Sequence, residues 1–506
     1  MTVPQTPRLT LAIFILLALL FLLSRFQNLL AFPPFIDEYL HIAWAQDVYR
    51  GHFLTGAANG RLLALWWMSL FYLSGHSALW IGRAVTILFS LLGLASVYSL
   101  GRKFAATTGA VLSALFYILV PFVFFHDRFA LSDTYVSVLG ILSLWFSVRF
   151  TSRGRTLDAA FAGLLVTAAI VAKANGIMLA LTPAIALLLL IPLSKWKQIL
   201  RGLIVAYGAF IVTFGPFYLF LKWRHWAYFG VATTVVGTDN GSGLIQRLMN
   251  NLSAAWTTDA TYLSGILMVL TALITLFLVL RNQRVGLFLS LSALLPLIAI
   301  CAFATKLSGR YILFHIPMLI LCLSVGLTTL VIDLRRQSGL ARTIAVPLAV
   351  GVPVIWGLLF ALPFQATAER DPASIAISPS DREEYIIADS SGFALADVAN
   401  YLLNKSARAD RPLHAIGLIS NCGGLGLELP DHSAVTLECP YITYTGSEQA
   451  NITKLVNQRA TDNFDLWIVS ENLSYATLDG VTVAYEQAAT FDRPDHGIRV
   501  ILYHVK

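Results

Sequence analysis

Residues 9–38 read LTLAIFILLALLFLLSRFQNLLAFPPFIDE, and this stretch decides how the rest of the chain is read. The apolar run over 9–23, with its flanks, is long enough to cross a bilayer. It runs into Ser24-Arg25-Phe26-Gln27-Asn28, which lacks a small-x-small cleavage pattern. A retained first membrane helix is therefore expected rather than a removed signal peptide. Asp37 and Glu38 follow shortly after. Adjacent carboxylates beside a membrane are costly to desolvate, so a functional role is the default expectation for them.

The same pattern extends outward. The chain has 506 residues, 57% hydrophobic and 12% charged, against about 25% charged in soluble domains, and its mean hydropathy is +0.71. Apolar runs near 9–30, 78–100, 107–125, 133–150, 158–174, 176–193, 201–221, 261–280, 286–303, 312–332 and 343–362 predict about eleven spans of a polytopic α-helical membrane protein. Charge divides the chain in two. Residues 1–362 hold 25 Lys+Arg against 9 Asp+Glu, and residues 363–506 hold 10 against 19. This sets a transmembrane domain, 1–362, against a soluble domain, 363–506. The basic residues sit in connectors: Arg102-Lys103, Arg149/Arg153/Arg155, Lys195/Lys197/Arg201, Arg281/Arg284 and Arg335/Arg336/Arg342. All fall on one side, which the positive-inside rule makes cytoplasmic, so the charge encodes topology and no nucleic-acid partner is expected. The N-terminus is then cytoplasmic and the C-terminal domain extracytoplasmic, in a multi-pass protein of the cell membrane.

Within the loop that follows the first span, Ile36, Leu40, Ala43, Trp44 and Val48 recur at helical spacing, which predicts a helix lying on the membrane surface. Residues 62–73, with Trp66 and Trp67, predict a second. In the soluble part, 392–403 predicts an amphipathic helix, and 414–419, 464–469 and 498–503 predict strands of a small α/β domain. Four cysteines are too few for a disulfide scaffold. Cys301 and Cys322 lie in apolar runs, whereas Cys422 and Cys439 lie in the soluble part and could pair in an oxidising compartment.

Charged clusters collect on the side opposite the basic connectors. Asp37-Glu38 opens the first interfacial helix. Carboxylates suit a helix N-terminus as caps, but capping leaves the other clusters unexplained, which favours a catalytic base. His41 lies four residues after Asp37 on the same face, and the two together are a weak candidate for a divalent metal. His126, Asp127, Arg128 and Asp133 follow Pro121 at a span end. Lys173, in Val-Ala-Lys-Ala-Asn-Gly, interrupts an apolar stretch; a lone lysine can snorkel, or present a cation. Lys306, Arg310 and Tyr311 repeat the theme. Such cations suit an anionic phosphate, which arginine can hold in bidentate fashion. Carboxylates and cations together fit a hydroxyl nucleophile that loses its proton to a carboxylate, and a lipid-phosphate leaving group whose charge the cations stabilise.

These residues resemble the GT-C superfamily of polytopic glycosyltransferases, in the branch of protein O-mannosyltransferases and bacterial aminoarabinose transferases. The resemblance rests on Arg25, Asp37-Glu38, the segment from Gly75 to Arg83, Gly101-Arg102-Lys103, the segment from Asp127 to Asp133, Lys173 and Gly309-Arg310-Tyr311. It implies a GT-C fold and an inverting transferase that takes sugar from a polyprenyl-phosphate donor on the outer membrane face. The acceptor would be a lipid, glycan or protein. The resemblance also implies Asp37 as the base. It departs at Ala58-Asn59-Gly60-Arg61, where relatives carry a His-Pro-Pro-like motif. A transporter or lipid flippase is the alternative, but the charges sit at span ends rather than mid-membrane; a structural scaffold is a third. Every candidate cluster precedes residue 363, and His414, His432 and His496 are scattered beyond it. The outer domain is thus expected to position an acceptor or cover the site, with the chemistry left to the membrane part.

Overall fold

The computed structural model describes residues 7–71, 78–225, 243–305, 307–336, 340–430, 433–440, 448–471, 478 and 480–506. Every predicted apolar run lies largely on helix. Among the described residues, seven helices are long and apolar enough to cross a membrane, and an eighth span is gained if one bent pair is counted together. The helices Thr156–Ala172 and Ala174–Leu190 are shorter.

Helix α1 (Pro7–Phe26) leads to two short helices, α2 (Ile36–Tyr49) and α3 (Leu62–Ser69). Helix α4 (Ala78–Leu119) carries two of the expected spans. Its 42 residues would reach about 63 Å if straight, twice the thickness of a bilayer core. Instead it folds back at Ala105 and Ala106, the latter at φ 54°. A Cβ on Gly101 would come within 2.6 Å of the Gly109 carbonyl oxygen, so the two arms meet backbone to backbone. Helices α5 (Pro121–Asp127), α6 (Ser132–Arg153), α7 (Thr156–Ala172), α8 (Leu181–Leu190) and α9 (Trp196–Trp223) follow. Next come α10 (Leu244–Leu263) and α11 (Gly265–Arg281), which meet at a bend of 106° at Ser264. Helices α12 (Gln283–Phe303), α13 (Ile316–Arg336) and α14 (Leu340–Trp356) complete the bundle. The best-buried spans are α4, α6 and the segment leading into α13, which makes them its centre.

The soluble part is α/β, as expected. Strands β1 (Leu413–Leu418), β2 (Val435–Glu438), β3 (Asp465–Glu471), β4 (Tyr485–Phe491) and β5 (Val500–Val505) form one sheet in the order β2-β1-β3-β5-β4. The three predicted strands are its three central ones. The edge strands β2 and β4 carry no continuous apolar run, and β4 is largely exposed. The parallel pairs β1/β2 and β1/β3 adjoin the antiparallel pairs β3/β5 and β4/β5. Cys422 and Cys439 form a disulfide that ties the helix α15 (Cys422–Glu428) to the end of β2.

Helix α2 does not use the face its apolar spacing suggested. Its buried residues are Glu38, His41, Ile42, Ala45 and Val48, with Ile36, Leu40, Ala43 and Trp44 only half-buried. The cause is its position between two bodies. One side packs on the bundle. The other meets the soluble domain, where Gly423 lies so close to Tyr39 that no Cβ would fit. The backbone N–H of Ile36 donates to Ser390 O at 3.1 Å, and Asn421 Nδ2 donates to Pro34 O at 2.8 Å.

Candidate active site

Asp37 and Glu38 are neighbours that part company. Glu38 turns inward and is fully buried. Its oxygens receive Arg83 Nε at 2.8 Å and Nη2 at 2.7 Å, the Ala130 N–H at 2.8 Å and the Phe35 N–H at 3.1 Å. The lone pairs of a carboxylate are used up by such a set. Arg83 also donates to the carbonyls of Leu29, Phe32 and Pro33, so that all five guanidinium protons have acceptors. Glu38, expected beside Asp37 as a catalytic carboxylate, has no acceptor position left for a substrate. It fastens the first loop to α4.

Asp37 faces the other way, its side chain 16% exposed. Arg310 Nη1 donates to Asp37 Oδ2 at 2.8 Å, and Arg61 Nη1 stands 3.6 Å from the same oxygen. Burial alone would raise the Asp37 pKa, but the guanidiniums of Arg61 and Arg310 outweigh it and hold the group well below the usual carboxylate range. Arg310 is incompletely used. Its Nε lies 3.7 Å from Glu384 Oε2 and has no hydrogen-bond partner among the described residues. Lys173 Nζ reaches Asp133 Oδ1 at 2.6 Å and sits 4.2 Å over the Tyr311 ring. Two carboxylates and three cations thus share one patch, built from α2, the start of α3, α6, the end of α7 and the turn before α13.

The expected cluster at 126–133 divides. Asp133 forms part of the patch itself. Asp127 points into the bundle, accepting from Ser90 Oγ at 2.8 Å and facing Arg25 at 3.7 Å. Arg128 donates to Asn28 O at 2.6 Å and faces Glu369 at 3.6 Å, tying loop to bundle. His126 is buried among the rings of Phe122, Phe125, Tyr262 and Tyr385. Asp127 and Arg128 were expected near the reaction; their surroundings make them anchoring groups. His126 stays beside the patch: neither ring nitrogen has a hydrogen-bond partner among the described residues, and Asp133, Arg310 and Lys173 lie within electrostatic reach of it. Lys306 lies outside the described residues.

His41 is engaged on both ring nitrogens. Nδ1 donates to Ala130 O and Nε2 accepts from Arg61, each at 2.8 Å. Burial and the adjacent Arg61 push its pKa down to about 3, so the ring is neutral. The expected metal pair of Asp37 and His41 does not form, because Arg61 occupies the nitrogen lone pair a metal would need. Among the described residues, no three metal-ligating side chains gather.

Three contributors escaped the sequence reading. Arg61 follows Gly56 and Gly60, both at positive φ, and this paired-glycine turn was the available signal for a fixed loop. Glu384 and Tyr385 come from beyond residue 363. Glu384 accepts from Ser308 Oγ at 3.3 Å, and Tyr385 packs on Phe35 with ring centroids 4.5 Å apart. The part beyond residue 362 was expected to position an acceptor or cover the site, and a strap at 378–393 does lie across the patch, adding the Glu384 carboxylate and the Tyr385 ring to its surroundings.

The arrangement of helices has counterparts. The structure aligns with that of ArnT from Cupriavidus metallidurans bound to undecaprenyl phosphate over 98% of both chains, with a TM-score of 0.61 and 15% sequence identity. This is the GT-C fold. The oligosaccharyltransferase of Archaeoglobus fulgidus, tethered to an acceptor peptide, shares the GT-C fold with a TM-score of 0.51 and 11% identity over 96% of this chain and 73% of that one. The family model of dolichyl-phosphate-mannose-protein mannosyltransferases matches residues 60–223. No curated protein sequence matches the chain. The matched segment carries Arg61, Asp133 and Lys173; Asp37 and Arg310 lie outside it and are brought in by the fold.

Proposed function

We propose that the chain is a glycosyltransferase that moves a sugar from a polyprenyl-phosphate donor to an acceptor hydroxyl or amine at the outer membrane face. The observation that carries this reading is the Asp37–Arg310 contact at 2.8 Å beside the Lys173–Asp133 contact at 2.6 Å. The structural neighbour that holds undecaprenyl phosphate supports the donor class. The Asp37 and Asp133 carboxylates contact the same cations that would hold a phosphate. A phosphate drawn onto Arg310 and Lys173 releases Asp37 from its hydrogen-bonded partner and raises its basicity. Asp37 then takes the proton of the acceptor, and the acceptor atom attacks the anomeric carbon. The bond from that carbon to the phosphate oxygen breaks, and the phosphate leaves with the electron pair. Arg310 and Lys173 hold its charge. Attack opposite the leaving group inverts the anomeric centre.

Incubating the purified protein with defined polyprenyl-phosphate sugars and membrane extract tests this. The expected products are free polyprenyl phosphate and an acceptor heavier by one sugar, read by mass analysis. Release of no polyprenyl phosphate from any donor would overturn the reading. For the outer-face placement, an impermeant thiol reagent should label Ser380→Cys and spare Arg155→Cys in intact cells; the reverse pattern would invert the topology.

A further inference from the structure

Far from the patch just described, the basic connectors form more than a topology signal. Arg83 touches the first loop, and Arg102 lies 19 positions later on the same arm of α4, so the two are separated by about 28 Å along the helix. That is one bilayer thickness. At this far end lies a cavity of about 380 Å³ lined by Ser99, Arg102, Lys103, Trp145, Arg149 and Arg153. It adjoins a second cavity of about 360 Å³ whose walls include Leu11, Phe14, Ala95 and Tyr98. Both are open recesses; four cations line the first, while Leu11, Phe14, Ala95 and Tyr98 with Thr10 line most of the second, and they meet at Ser99 and Arg102.

The positive-inside rule accounts for cations at this level, but not for the open recess they line. In another connector, Arg281 is paired with Asp333 at 2.6 Å. Here Arg149 pairs with Asp158 at 3.2 Å, and its Nε has no hydrogen-bond partner among the described residues. Arg102, Lys103 and Arg153 are exposed, and none has a carboxylate within ion-pair distance among the described residues. The Trp145 ring, 4.6 Å from the Arg149 guanidinium, gives the pocket an amphipathic wall of the kind that sits at headgroup level. Leu11, 59% exposed, marks where the apolar recess meets lipid.

We infer that this pair of cavities is a binding site for an anionic phospholipid of the leaflet opposite the Asp37 patch. The phosphate lies among Arg102, Lys103 and Arg153, and the start of an acyl chain lies along Leu11, Phe14 and Tyr98. Charge complementarity selects the occupant: three unneutralised cations favour an anionic headgroup over a zwitterionic one. The apolar recess distinguishes a lipid from a free anion.

Native mass spectrometry of the full chain, released from nanodiscs of equal phosphatidylglycerol and phosphatidylcholine, tests the site. Wild type should retain phosphatidylglycerol in roughly tenfold excess or more. The triple variant Arg102→Gln, Lys103→Gln, Arg153→Gln should fall to parity. Ser99→Trp fills the junction of the two recesses without changing charge, and should also lose the preference even if the triple variant folds poorly. Equal retention of the two lipids by wild type would overturn the inference, as would an undiminished preference in Ser99→Trp. Displacement of phosphatidylglycerol by millimolar inorganic phosphate would also overturn it, by showing an anion site without lipid.

Discussion

Two buried ion-pair systems stand side by side at one end of the helix bundle, and they are built to opposite rules. Around Glu38 and Arg83, every donor and acceptor is matched and nothing is exposed. Around Asp37 and Arg310, side chains keep 16% and 8% exposure, and Arg310 retains an unused donor. The closed system fixes the position of a loop. The open one can exchange partners, because a phosphate can take the place of a carboxylate on a guanidinium. Adjacent residues therefore do different work, and satisfaction of hydrogen bonds, more than charge or burial, tells them apart.

Substitutions can break this contrast from either side. The largest effect is expected from Arg83→Met, which strands the buried Glu38 charge and should cost about 3–5 kcal/mol of stability. Thermal unfolding in detergent measures it; an unfolding temperature equal to wild type would show that the closed pair does not hold the loop. Asp37→Asn should leave unfolding nearly unchanged and slow transfer by about 100-fold or more. Donor affinity in that variant should be equal or higher, because Arg310 loses a competing carboxylate. Normal turnover would remove Asp37 from the reaction. Arg310→Lys keeps charge but loses the planar fork, so transfer should fall roughly tenfold, seen as a raised KM for the donor. If only stability changes, Arg310 belongs with the closed system.

The smallest effect sharpens the comparison at a third carboxyl. Asp381 is buried in the strap and accepts from Tyr262 Oη at 2.6 Å. Burial pushes its pKa up to about 6. The folded chain thus holds this proton more tightly than the unfolded chain, so stability falls as pH rises from about 4 to 6 and levels off above. Asp381→Asn should remove that loss. After allowance for a weaker hydrogen bond from Tyr262, it should gain about 1 kcal/mol at pH 7 and nothing at pH 4. A gain of equal size at both pH values would show that Asp381 does not titrate as described.

How much of this was legible depends on what each feature draws upon. Spans follow from apolar run length alone, and every expected run lies largely on helix. The hairpin in α4 shows in sequence as Arg102-Lys103 between two apolar stretches. Strands β1 and β3 were readable because burial on both faces imposes apolar runs, and β5 because Val500, Ile501, Leu502 and Tyr503 are consecutive apolar and aromatic residues, although only Val500, Leu502 and Val505 are buried. Edge strands β2 and β4 lack that constraint and were missed. In the site, Asp37, Asp133, Lys173, Arg310 and Tyr311 were each anomalous in an apolar context, and they do converge. Asp127 and Arg128 were equally anomalous but serve buried anchoring, and nothing local separates the two cases. Glu384 was invisible for the opposite reason: in a polar segment an acid stands out from nothing.

The hydrogen bond from the Ile36 N–H to Ser390 O has a consequence in time. These atoms are separated by the synthesis of about 350 residues, which at ordinary translation rates takes roughly 20 to 70 seconds. Throughout that interval the first loop is already made, but the strap and the Asn421 amide that hold Pro34 and Ile36 have not yet emerged. The patch is thus completed late, when the tail of the chain closes over its beginning, so a nascent or truncated chain has the bundle without the finished site.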